Sequence, residues 1–104
     1  MTKDDSVKKE TGKIRMSLIP PSLMTEVGKC ITFGADKYSD YGWKDVDDSL
    51  YKDALLRHLM AWLEDEDSID SETGYSHLSH AACNIAILME KQRIDRLHES
   101  EWSF

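Results

Sequence analysis

Residues 48–64 read DSLYKDALLRHLMAWLE. Leu50, Tyr51, Ala54, Leu55, Leu59 and Trp62 recur at the spacing of one α-helical face. Leu56, Met60 and Leu63 widen that face beyond a single stripe. Such a helix expects burial on more than one side. Asp48 or Ser49 can cap its start, and the pattern stops near Leu63 or Glu64. Arg57 and His58 sit on the edge of the apolar face.

Upstream, Pro20 and Pro21 end the segment KIRMSLI, read as extended, and open another helix, because proline is tolerated in a first turn. That helix is expected over residues 22–33, on Leu23, Met24, Val27, Cys30 and Ile31. It ends at Gly34 or continues through ADKY. The segment SDYGWKDVDD, residues 39–48, reads as turn-rich. Its Trp43 either packs back on the core or walls a ligand pocket.

Downstream, EDEDSIDSETG forms a second loop. A third helix starts near residues 74–76 and runs to about Arg93 or beyond, with Leu78, Ala81, Ala82, Ile85, Leu88 and Met89 on its apolar face and a helical rhythm kept through Leu97, after which the tail is expected to fray. The fold class is therefore all-α, a small bundle of three main helices completed by oligomerisation into a homo-oligomer. Residues 1–11 read as a flexible charged leader, 12–98 as a single helical domain and 99–104 as a C-terminal tail. Trp102 and Phe104 in that tail are expected to pack, on the chain itself or against a second subunit.

The chain has 104 residues and a formal net charge of −7. Residues 36–72 carry twelve Asp or Glu against four Lys or Arg, so the acidity is concentrated in the middle. This disfavours duplex nucleic acid as a partner, which needs cations to neutralise phosphates. A divalent metal can still join an acidic surface to a polyanion. No apolar run reaches the roughly 20 residues of a membrane span. The first residues lack the apolar core of a signal peptide, and a cytoplasmic location follows. Cys30 and Cys83 are read as reduced, buried thiols.

Chemistry concentrates in residues 70–84, DSETGYSHLSHAACN. His77, His80 and Asn84 share one helix face. Asp70 and Glu72 lie in the loop that feeds it, and His58 and Glu64 can reach it from an antiparallel neighbour. Imidazole and carboxylate together suit a divalent metal. The metal set is expected from His58, Asp70, His77 and His80. The plainer alternative is that these side chains are solvated or bond only to one another. The spacing is not HExxH, and no serine or cysteine sits in a nucleophile motif. The few cations, Lys13, Arg15, Lys37 and Arg57, can hold phosphates or pair with nearby acids.

The pieces GKIRMSLIPP, EVGKCITFGADKY, YGW, LLRHLMAW and DSETGYSHLSHAACN, in this order, resemble a phage and prophage family of dATP/dGTP diphosphohydrolases. The resemblance covers roughly residues 12–90. The family pattern holds Lys13, Gly34, Lys37, Tyr38, Trp43, Arg57, His58, Glu72 and Gly74 as well as the trio on the third helix. By analogy the family is grouped with all-α pyrophosphohydrolases of the MazG type. The resemblance implies metal-dependent hydrolysis of a deoxynucleoside triphosphate to the monophosphate and pyrophosphate, with Mg or Mn expected and a transition metal the alternative. In the scheme it implies, His58, Glu64, Glu72 and His80 are the catalytic groups, Tyr38 or Trp43 stacks on the base, and Asn84 hydrogen-bonds to it or orients a ligand. Those enzymes hold metal with acidic pairs on facing helices. Here Arg57-His58 and His77-x-x-His80 occupy similar places. The alternative function is a non-catalytic module that captures a nucleotide or nucleotide-derived signal, such as a phage sponge against host defence. A phage-encoded chain would work in the host cytoplasm.

Overall fold

The computed structural model describes residues 12–102, and the side chains of residues 12–98. The expected leader, the Trp102 side chain and Phe104 lie outside the described residues. Three α-helices carry the fold: α1 (Pro21–Lys37), α2 (Asp48–Glu64) and α3 (His77–Trp102). The described residues contain no strand beyond one isolated bridge, Ile69 to Ser76. No described helix is long and apolar enough to cross a membrane.

The boundaries differ from the sequence expectation at Met16–Leu18, at the cap of α2 and in the tail, while at the end of α1 the second of the two expected outcomes holds. Met16–Leu18 forms a 3₁₀ turn instead of extended chain, because the Leu18 N–H donates to the Arg15 carbonyl at 3.1 Å. Helix α1 begins at Pro21 and runs through Gly34 to Lys37, with the Tyr38 N–H donating to the Gly34 carbonyl at 3.0 Å. Gly34 therefore continues the helix. Asp47, not Asp48 or Ser49, caps α2: its Oδ1 accepts the Ser49 N–H at 2.8 Å. Helix α3 continues to Trp102, so residues 99–102 of the expected tail are helical.

Helix α3 is the central element, and both α1 and α2 pack on it. Helix α2 runs antiparallel to α3. At one end Lys91 of α3 pairs with Asp48 Oδ1 at 2.9 Å, and at the other His58 meets His77. Lys91 also donates to the carbonyls of Val46 and Trp43, which fastens the loop before α2 onto α3. Trp43 is thereby held against the core. Helix α1 crosses the N-terminal half of α3, where Ser79 Oγ donates to Glu26 Oε1 at 2.6 Å.

The core is thin. Cys30, Ala81, Cys83 and Ile87 are the buried apolar residues, with Val27, Ile31, Trp43, Tyr51 and Tyr75 partly buried around them. Both cysteines are free, and burial pushes the Cys30 thiol up to about 11 and the Cys83 thiol up to about 12. On α2, Leu56, Met60 and Leu63 face outward and stay 56%, 64% and 66% exposed. The breadth of the α2 apolar surface, noted from its sequence, thus exceeds what α3 alone covers.

Candidate metal centre

The loop of residues 65–76 turns α2 back onto α3 and carries Asp70 into the space between the helix ends. Its turn is locally encoded. Asp70 Oδ2 accepts the N–H groups of Glu72 at 3.1 Å and Thr73 at 2.9 Å, the pattern of an Asx turn. The Gly74 N–H closes on the Asp70 carbonyl at 2.8 Å with φ at 76°, a conformation glycine adopts without strain. Ser76 then caps α3, its Oγ accepting the Leu78 N–H at 3.1 Å.

Three histidines converge beside this turn. His58 Nδ1 and His77 Nδ1 are 2.9 Å apart. The His58 ring stacks on His80 with centroids 4.6 Å apart and planes 14° from parallel. His80 Nε2 lies 2.7 Å from Thr73 Oγ1 and 3.7 Å from Asp70 Oδ2. The Thr73 hydroxyl also lies 3.0 Å from Asp70 Oδ2, to which it donates. His58, Asp70 and His77 offer donor atoms that all lie within 4.8 Å of one another, and each of the three is half-buried.

Burial holds His58 and His80 below the ordinary histidine value, with nearby imidazoles adding to the effect and Asp70 opposing it. Burial alone would raise the Asp70 carboxyl. The two Thr73 hydrogen bonds and the facing His80 and His58 outweigh it and leave Asp70 below its ordinary value. The site therefore favours neutral His58 and His80 beside an ionised Asp70, and neutral imidazole and carboxylate are the forms that ligate metal.

Of the other expected residues, Asn84 is buried at 8% exposure, one turn beyond His80 on α3. Arg57 is exposed next to His58. Glu72 sits on the rim, where its Oε2 accepts from Lys37 Nζ at 2.6 Å, and this bond pushes the Lys37 ammonium up. Tyr38 is 76% exposed beside Lys37. Glu64 ends α2 exposed, with no hydrogen bond or ion pair to the cluster. Lys13 and Arg15 lie on the exposed segment before α1. Sequence reasoning missed Thr73, although Asp-x-x-Thr followed by glycine is an Asx-turn pattern that points to it.

Two comparisons bear on this arrangement. The family described as dATP/dGTP diphosphohydrolase, N-terminal, matches residues 3–101. The chain belongs to that family. A protein of Salmonella phage PMBT28, named dATP/dGTP diphosphohydrolase, is similar at 33% identity over 82 residues. The alignment takes in 79% of this chain and 28% of that protein, so the chain spans about a quarter of the relative's length. No solved structure matches.

Proposed function

We propose that this chain hydrolyses dATP and dGTP to the monophosphate and pyrophosphate with the help of a divalent metal. The observation that carries the reading is the convergence of His58, His77 and Asp70 in a chain of this family. The donor set fits a metal: two imidazoles presented through Nδ1 and a carboxylate kept ionised, with three protein ligands leaving room for water or phosphate.

Hydrolysis joins a water oxygen to the α-phosphorus and breaks the bond to the bridging oxygen, so that pyrophosphate leaves. A bound divalent ion supplies charge to offset the phosphates and lowers the pKa of water. The chain supplies the rest. His58, Asp70 and His77 hold the ion. His80, kept neutral by burial and outside the ligand trio, is the group able to take the proton from water. Arg57 stands exposed beside His58 and offers phosphate oxygens a bidentate contact. Lys37 and Glu72 form a pair at the rim, from which Lys37 can turn to phosphate. Asn84, buried one turn beyond His80, offers an amide to the nucleotide, and exposed Tyr38 offers a ring for stacking on the base.

The active form is a homo-oligomer in this reading. The outward apolar face of Leu56, Met60 and Leu63 is the surface a second copy covers.

Capture without cleavage is the second reading. The observation that favours it is the much greater length of the phage relative, whose named activity has additional chain to draw on. One assay separates the two. Each dNTP is incubated with the full chain and Mg²⁺, Mn²⁺ or Zn²⁺, and monophosphate and pyrophosphate are measured. Products that vanish in His77→Ala sustain hydrolysis. Nucleotide binding without products sustains capture.

A further inference from the structure

The cluster has a donor composition that goes beyond the choice of Mg or Mn expected from the family resemblance. We infer that His58, His77 and Asp70 form a site for a nitrogen-preferring first-row transition ion, of the Zn, Co or Fe class, and discriminate against Mg²⁺. This deepens the functional reading above by naming the class of metal. It rests on the donor geometry and is measured apart from hydrolysis.

The first argument is ligand type. Mg²⁺ takes oxygen donors in a near-ideal octahedron and gives up water reluctantly. Two of the three donors here are imidazole nitrogens. Imidazole suits Zn, Cu, Fe and Ni, and affinity for nitrogen sites rises along the first row towards copper. The nearest further carboxylate, Glu72, is turned to Lys37 at 2.6 Å. Glu64 is exposed at the end of α2. The described residues therefore bring no oxygen-rich set to this point.

The second argument is distance. The two Nδ1 atoms stand 2.9 Å apart, with the residues 19 positions apart in sequence. Donors at the ~2.0–2.1 Å typical of a metal–imidazole bond, spread by an octahedral or tetrahedral angle, lie about 2.9–3.4 Å from each other. The pair falls at the short end of that range. Without a cation the same contact needs one ring protonated at Nδ1 and the other not.

The third argument is the hold on Asp70. Its Oδ2 takes the bonds from Glu72 N–H, Thr73 N–H and the Thr73 hydroxyl. None of these uses Oδ1, which is left to a cation. His80 stands beside the trio, engaged by Thr73 at 2.7 Å. Outer-shell partners of this kind fix the orientation of a ligand.

The test uses the untagged full chain, stripped with a chelator and dialysed. Calorimetry with Zn²⁺, Co²⁺, Mn²⁺ and Mg²⁺ gives affinity and stoichiometry, and the visible spectrum of Co²⁺ reports the ligand field. The expected result is one Zn²⁺ or Co²⁺ per chain, bound about 100-fold or more tighter than Mg²⁺. His77→Gln and Asp70→Asn should each weaken Zn²⁺ by tenfold or more while His98→Gln does not. Mg²⁺ binding as tightly as Zn²⁺ in the wild-type chain overturns the inference, and that comparison needs no variant to fold. An equal loss in His98→Gln also overturns it, since the ion would then sit elsewhere. Tight Zn²⁺ with no dNTP turnover leaves the inference standing and removes the hydrolase reading. Turnover supported by tight Mg²⁺ does the reverse.

Discussion

The hydroxyl of Thr73 lies 2.7 Å from His80 Nε2 and 3.0 Å from Asp70 Oδ2. The Tyr75 N–H donates to the same oxygen at 3.2 Å. A hydroxyl carries one proton. If Thr73 gives it to Asp70, His80 must donate from Nε2 and keep a lone pair on Nδ1. Thr73 thus sets the orientation of two site residues without reaching the open side of the cluster. Thr73→Val should lower metal affinity and turnover by roughly 10–100-fold, with KM for nucleotide little changed. Thr73→Ser should restore most of both. Calorimetry and initial rates on the pair check this.

Acidification should destabilise the chain in a defined order. His58 and His80 titrate below the ordinary histidine value of 6.5 when folded. Between the folded and unfolded values the unfolded chain binds more protons, so stability rises with pH there. Stability should therefore be complete above about pH 6.5 and fall as pH drops below it. Asp70, also lowered, adds a second loss below its ordinary 3.8. Urea midpoints from pH 8 to 5 measure the first phase, and His58→Gln should flatten it.

Lys91 gathers the carbonyls of Trp43 and Val46 and the carboxylate of Asp48. Lys91→Met keeps the stem and removes the charge. It should cost about 2 kcal/mol, as expected for charge-assisted bonds lost at a half-buried position. Chemical denaturation reads the loss. The near-UV signal of Trp43 should change with it, while metal affinity at the far end of α2 should not.

Met60→Asp and Leu56→Asp place charge on the outward face of α2, where the native side chains are 64% and 56% exposed. In an isolated chain such changes are nearly neutral. In an oligomer that buries this face they should shift the mass measured by light scattering to the monomer. Unchanged mass for both would remove the proposed interface.

The thiols of Cys30 and Cys83 are buried and held near 11 and 12. Thiolate is the reactive form. Neither should react with a thiol reagent at pH 8 on the timescale of minutes, and both should react in denaturant.

The helices were legible because apolar residues at i, i+3, i+4 and i+7 mark a buried face directly. That is why α2 and the start of α3 fall close to where the pattern places them. The end of α1 was less legible: Gly34 is a common stop signal, yet the helix passes through it to Lys37. The cap of α2 was misplaced by one or two residues, because Asp47, Asp48 and Ser49 are all competent and only backbone conformation selects among them. In the site, helical spacing could group His77, His80 and Asn84. It could not say that His77 turns to His58 while His80 turns to Thr73, since that depends on how α2 lies on α3. The role of Thr73 follows from the turn of residues 70–74 that precedes the trio, not from any helical period.

Every donor of the trio lies between residues 58 and 77, on one helical hairpin and its connecting loop. Closing so short a span costs little chain entropy, and local contacts of this kind form fast. Helix α1 instead packs on α3, so its main partner follows it in the chain only after α2 and the connecting loop. The α2–α3 hairpin is thus the more local of the two packings, and the α1–α3 contact the more distant in sequence. A cation that binds the hairpin stabilises it as a platform before α1 must find its place.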